Sequence, residues 1–160
     1  MDKFESIAEK IINPNILKKQ LAFWRFRNFK IVFTNGCFDI LHRGHIEYLA
    51  KAASTGDILI VGLNTDKSVR KLKGEGRPVQ DEEARAMILA SLQFVERVAL
   101  FNEDTPYNLI NEIQPDILVK GAEYKPEDIV GYDIVKAKGG EIITIDMVEG
   151  YSSSSLLNKL

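Results

Sequence analysis

Ile31-Val32-Phe33-Thr34-Asn35-Gly36-Cys37-Phe38-Asp39-Ile40-Leu41-His42-Arg43-Gly44-His45 is the stretch that decides how the rest of the chain is read. An apolar, β-rich run ends in a glycine turn, and a helix is expected to open at the His42-Arg43-Gly44-His45 that follows. These are the only two histidines of the chain. At i and i+3 their rings share one face of a first helical turn, beside backbone N–H groups and the positive end of the helix, a combination suited to phosphate. Gly44 removes a side chain where a phosphate would approach the backbone. The same spacing suits a metal pair completed by Cys37 or Asp39. A closed zinc site takes four ligands, however, and the chain has no further histidine or cysteine. Phosphate is the preferred reading, and with it nucleotide chemistry.

Working outward, strands are expected over 31–34, 57–63, 95–101, 116–120 and 141–145, and helices over 43–54, 81–92, 105–113 and 153–159. Alternation of this kind implies an α/β, Rossmann-like parallel sheet with helices on both faces and right-handed crossovers. Residues 30–160 form this domain. Residues 1–29 are expected as a helical extension packed on it, with a helix over 15–28 capped by Asn15 and carrying Ile16, Leu17, Leu21, Trp24 and Phe26. Thr105-Pro106 has the form of a cap followed by proline at the first helical position, and Gly56-Asp57 and Gly139-Gly140 punctuate turns from helix to strand. Lys71 to Gln80, with Gly74, Gly76 and Pro78, is expected as a mobile basic loop, and 121–131 as a second irregular stretch.

The 160 residues suffice for one domain with a substantial core. A formal net charge of -2 supplies no general pull toward nucleic acid or anionic lipid, so a polyphosphate would have to be held by a local site. A single cysteine excludes an intrachain disulfide and suits a reducing compartment, the cytoplasm. The charged N-terminal residues do not form a signal peptide, and no run approaches the roughly 20 apolar residues of a membrane span.

In open α/β sheets ligands bind beyond the carboxyl ends of the strands. That rule selects Gly36 to His45, Asn64-Thr65-Asp66, Lys120-Gly121-Ala122-Glu123-Tyr124, and Gly150-Tyr151 with Ser152, Ser153, Ser154 and Ser155. The serine run is equally a helix cap.

The motif Thr34 to Asp39 leading to His42-Arg43-Gly44-His45, with Tyr151 to Ser155, resembles the cytidylyltransferase-like nucleotidyltransferase superfamily. Within it, Leu72-Lys73-Gly74 with Arg77-Pro78, Glu103-Asp104-Thr105-Pro106, and Pro115 to Gly121 resemble the heptose 1-phosphate adenylyltransferases. The best-known of those are fused to a heptose kinase, and this chain resembles the stand-alone form. The resemblance implies transfer of AMP from ATP to D-glycero-β-D-manno-heptose 1-phosphate, with Mg²⁺ carried mainly by the ATP phosphates and no protein ligand assigned to it.

Carried over residue by residue, the resemblance makes His42, His45 and Lys73 catalytic. Gly36, Cys37, Phe38, Gly44 and Gly150 to Ser154 would bind the nucleotide. Asp39, Asp66, Lys71, Arg85, Lys120, Glu123 and Tyr124 would lie toward the acceptor, with Asp39 buttressing the turn. Related glycerol-phosphate enzymes carry an arginine where this chain has Met147. The alternatives are a cytidylyltransferase acting on glycerol 3-phosphate or another small phosphate ester, and a non-catalytic nucleotide-binding partner of a separate heptose kinase. Trp24 and Phe26 would serve a homodimer as readily as internal packing.

Overall fold

The computed structural model describes residues 1–160. Five parallel strands, β1 (Ile31–Gly36), β2 (Ile58–Asn64), β3 (Arg97–Phe101), β4 (Ile117–Gly121) and β5 (Glu141–Ile145), lie in the order β3-β2-β1-β4-β5. β2 is buried at every position because helices cover both faces, which is why its sequence reads as an unbroken apolar run. The chain moves outward from β1 to β2 and β3, then returns to the other side for β4 and β5. The crevice between β1 and β4 is therefore the switch point where such sheets bind ligands. β1 pairs with β2 over six residues but with β4 only at Val32 and Phe33. Beyond Phe33 the two central strands diverge, and Tyr48 fills the gap. Its hydroxyl lies 2.7 Å from Thr34 Oγ1 and donates to the Val119 carbonyl at 3.2 Å.

Eight helices surround the sheet: α1 (Lys3–Ala8), α2 (Pro14–Phe26), α3 (Arg43–Ala53), α4 (Asp66–Lys73), α5 (Glu82–Ala90), α6 (Tyr107–Ile113), α7 (Tyr132–Ala137) and α8 (Ser153–Leu157). One core cluster joins Leu17, Leu21 and Trp24 of α2 to Phe33, Ile60, Ile110, Ile113 and Leu118. The other packs Leu49 and Ala52 of α3 and Ala86 and Leu89 of α5 against Leu59, Val61, Leu63 and Val119. Each cluster lies on one face of the sheet. The leading segment is also stitched to β3. Ile12 N–H donates to the Val98 carbonyl, Val98 N–H donates to the Lys10 carbonyl, and Lys10 Nζ reaches the Leu92 and Val95 carbonyls. No helix is long and apolar enough to cross a membrane.

The structure corrects several boundaries. α2 is capped by Asn13, whose side chain accepts from Ile16 N–H, and Pro14 takes the first helical position, so Asn15 lies inside the helix. α6 has Pro106 itself at the cap, and Thr105 Oγ1 reaches only Tyr107 N–H at 3.4 Å. The expected loop from Lys71 begins instead as the last turn of α4, which Thr65 caps through Ser68 N–H. Trp24 is buried in the core, while Phe23 and Phe26 are exposed.

Candidate functional site

His42 is the N-cap of α3, and its Nδ1 accepts the His45 backbone N–H at 3.4 Å. A neutral imidazole that accepts at Nδ1 carries its proton on Nε2, so the outer nitrogen of His42 is a donor. The His45 ring stacks on the His42 ring with centroids 3.8 Å apart, and Phe38 meets His45 edge-on at 5.3 Å. Burial and the neighbouring His42 push the His45 pKa down to about 4, against a weaker opposing pull from the Ile40 carbonyl. Burial also lowers that of His42. Both rings are therefore neutral near pH 7. His45 Nδ1 is buried and makes no hydrogen bond within the chain.

Close packing makes two glycines necessary here. A Cβ on Gly44 would stand 2.9 Å from His42 Cε1 and 3.2 Å from Tyr151 Cβ, and one on Gly36 would stand 2.9 Å from the Phe38 ring. The space at Gly44 thus admits the His42 ring and Tyr151, where the sequence suggested room for a phosphate. Phe38 itself has φ +45°, the left-handed turn that aims its ring at His45.

The His45 ring opens onto a cleft of about 290 Å³ beyond the diverging ends of β1 and β4, whereas His42, stacked on that ring, is not part of the cleft wall. The walls include Gly36, Cys37, Phe38, His45, Lys73, Lys120, Glu123, Tyr124 and Ser153, all anticipated from the sequence. Lys120 Nζ donates to the Asn35 carbonyl at 3.3 Å and lies 5.4 Å from the Tyr124 ring centroid. Burial lowers its pKa, and Glu123 and Cys37 partly offset that. Burial raises the Cys37 thiol pKa against the pull of Lys73, Arg85 and Lys120, leaving it protonated at neutral pH.

Other anticipated residues have different work. Arg85 is 1% exposed, and its guanidinium donates to the Gln80, Cys37 and Asn64 carbonyls and to Asp66 Oδ1. Arg85 and Asp66 thus tie the cleft turn to β2 and α4, and neither lines the cleft. Lys71 pairs with Asp104 at 2.6 Å, outside the cleft wall. Asp39 is buried and accepts from Val79 N–H, Gln80 N–H and Arg77 Nε. Burial alone would raise its pKa, but those three donors hold the carboxyl below its ordinary range. They also pin the expected mobile loop to the turn.

At the C-terminal motif, the Ser152 and Ser155 hydroxyls satisfy each other's backbone N–H groups in a capping box. Ser153 Oγ donates to the Ile40 carbonyl, and Ser154 is exposed. Gly150 supplies a positive φ before Tyr151, whose ring lies 6.2 Å from that of His42. Sequence reasoning missed Asn35, Tyr48, Arg77 and Met147 on the cleft wall. A buried Asp39 needing a cation was the available signal for Arg77.

Comparison with known proteins matches residues 33–157 to the cytidylyltransferase-like family. The bifunctional protein HldE of Rhodopseudomonas palustris (strain BisA53) is 54% identical over 155 residues, covering 96% of this chain and 32% of its own length. HldE of Wolinella succinogenes is 51% identical over 152 residues, 95% of this chain and 31% of its own. The chain spans about a third of the length of these curated relatives. Among solved structures, the lipopolysaccharide core biosynthesis protein from Thermoplasma volcanium GSS1 aligns with a TM-score of 0.63 at 28% identity, over 76% of this chain and 99% of that one. The pantoate-beta-alanine ligase of Francisella tularensis shares the fold, with a TM-score of 0.58 at 20% identity over 89% of this chain and 71% of that one.

Proposed function

This chain belongs to the cytidylyltransferase-like family, and from that premise we propose that it is an adenylyltransferase moving AMP from ATP to D-glycero-β-D-manno-heptose 1-phosphate. ADP-heptose and pyrophosphate are the products. The observation that carries the reading is the pair of neutral, stacked imidazoles at the start of α3, of which His45 lines a cleft that also holds Lys73 and Lys120. The identity to HldE proteins over nearly the whole chain supports the sugar. The likeness to the Thermoplasma lipopolysaccharide core biosynthesis protein supports a place for the product in lipopolysaccharide core assembly.

A phosphomonoester has a second pKa of about 6, so the acceptor oxygen is already an anionic nucleophile near neutral pH. It attacks the α-phosphorus, the bond to the bridging oxygen of the β-phosphate breaks, and pyrophosphate leaves with that electron pair. No general base is required. Catalysis is then positioning and charge stabilisation. In this reading His42 Nε2–H and the His45 ring contact the triphosphate, and Lys73 and Lys120 supply positive charge. The backbone around Gly36 to Phe38 and Gly150 to Ser154 adjoins the nucleotide. A recess of about 170 Å³ shares Asn35, Lys120 and Tyr124 with the cleft and adds Asp104, Thr105 and Asp128, which suits the hydroxyls of a sugar.

No cluster of three potential metal ligands exists in the chain, and Asp39 is fully engaged. Glu123 is the remaining carboxylate on the wall. This donor set fits a Mg²⁺ held mainly by ATP phosphates and not by a protein cage. When bound there, the cation would neutralise phosphate charge.

The test is pyrophosphate release by the purified chain with ATP or CTP and each of heptose 1-phosphate and glycerol 3-phosphate. Release is expected only with ATP and heptose 1-phosphate, and is expected to cease on adding EDTA. Product from CTP and glycerol phosphate instead would overturn the reading. Absence of turnover with every pair would favour a non-catalytic partner of a kinase.

A further inference from the structure

Three cationic side chains, Lys73, Lys120 and Arg77, line the cleft, and Arg77 was assigned no role from the sequence. It differs from the lysines in how it is held. Its Nε donates to Asp39 Oδ2 at 2.6 Å, and that carboxylate is itself fixed by the Val79 and Gln80 amides. The Arg77 side chain is 18% exposed and that of Asp39 is 1% exposed, so the pair points from the protein interior into the cleft. Nη1 and Nη2 make no hydrogen bond within the chain, which leaves the outer edge of the guanidinium fork as a set of oriented, unpaired donors. Just upstream, Gly74 and Gly76 have φ of +92° and +83° and nothing packed against them. The arginine is thus an anchored point at the end of an otherwise open turn.

We propose that Arg77 is a further binding residue, whose two outer nitrogens hold phosphate oxygens in the cleft while Asp39 fixes the plane of the fork. The proposal rests on the reading that the cleft takes a polyphosphate. Asp39 compensates the charge of Arg77, so the lysines supply the net attraction and Arg77 supplies direction. A planar fork can hold two phosphate oxygens at once, which an ammonium cannot. The phosphate belongs either to ATP or to the acceptor ester.

The substitution Arg77→Lys separates binding from scaffolding. A lysine can keep the ion pair with Asp39, but its ammonium is then used up and no fork faces the cleft. Calorimetric titration of wild type, R77K and R77A with inorganic pyrophosphate and with MgATP, together with Tm and steady-state KM for each substrate, gives the answer. R77K is expected to keep the wild-type Tm while losing roughly tenfold or more in affinity, the loss expected for charge-assisted hydrogen bonds. A raised KM for ATP alone assigns the fork to the nucleotide, and a raised KM for heptose 1-phosphate alone assigns it to the acceptor. Wild-type affinity and both KM values in R77K would overturn the proposal. If R77K lowers Tm as much as R77A with proportionate loss of binding, the residue is scaffold only and the proposal also fails. Wild type that binds neither pyrophosphate nor MgATP would instead sink the adenylyltransferase reading.

Discussion

Adding one methyl group to Gly44 would bring a carbon within 3.0 Å of His42 Nδ1 and 3.2 Å of Tyr151 Cβ, so Gly44→Ala has to push the cap ring or the C-terminal motif aside. The expected result is a stability loss of about 1–3 kcal/mol, as for other overpacked sites, with a larger proportional loss of pyrophosphate release. Denaturant melts and turnover on the same variant check it. For His45→Ala the balance is sharper. The ring adds little to the core, so Tm should stay near wild type while turnover falls about 10²–10³-fold, the usual effect of removing one transition-state donor. Unchanged turnover would remove His45 from the mechanism. The histidines also set an acid limit. A His45 pKa lowered from 6.5 to about 4 means the unfolded chain binds the extra proton first. That contribution to stability is complete above pH 6.5 and is lost as pH falls toward 4. Asp39, held below its ordinary range, loses its share only at still lower pH. Tm should therefore decline between pH 6.5 and 4 in wild type and decline less in His45→Asn.

Among the elements, the join between α5, α4, β2 and the cleft turn depends on one guanidinium. Arg85→Met would leave the Cys37, Asn64 and Gln80 carbonyls without this donor and Asp66 without its cation. A loss of about 3 kcal/mol or more is expected from such an uncompensated site, measured as a shift in the urea midpoint. A wild-type midpoint would show that the hub is replaceable. Arg85 also marks a limit of sequence reading. The family resemblance placed it toward the substrate, because one-dimensional order does not reveal that three carbonyls and a carboxylate enclose it. Lys71 and Asp66 likewise each have an ion-pair partner distant in sequence that one-dimensional order does not reveal. The strands, by contrast, were legible to within two residues, most clearly β2, where burial on both faces leaves a continuous apolar run. α1, α4 and α7 were not anticipated, and length alone does not explain it, since the shorter α8 was. What orders α1 and α4 is a capping side chain, Asp2 for one and Thr65 for the other, and not an apolar stripe.

For the molecule as a whole, residues 1–29 belong to the same core as the sheet. Ile12, Leu17, Leu21 and Trp24 are all buried against strands and helices from the remainder of the chain. Leu21→Ala should cost about 2–5 kcal/mol, as large-to-small changes at fully buried leucines do, and calorimetry should show one cooperative transition shifted down. Two separate transitions would mean that the leading helices fold apart from the sheet. The position of the cleft was readable from the rule that ligands bind beyond the carboxyl ends of the strands, since β1 and β4 carry the motifs that flank it. Its depth was not, because that comes from strand divergence past Phe33 and from the phenol of Tyr48 beneath it.

The backbone bonds between Lys10, Ile12 and Val98 have a further consequence. β3 is an outermost strand, and unpaired amides along such a border invite a neighbouring molecule to extend the sheet. Here the chain's own beginning occupies that border for two hydrogen bonds, and the Lys10 ammonium sits over the turn leading into it. Residues 10–12 thereby cover part of that border. Their removal would bare a ladder that other copies can join, and light scattering on a shortened chain should rise with concentration where the intact protein stays clear.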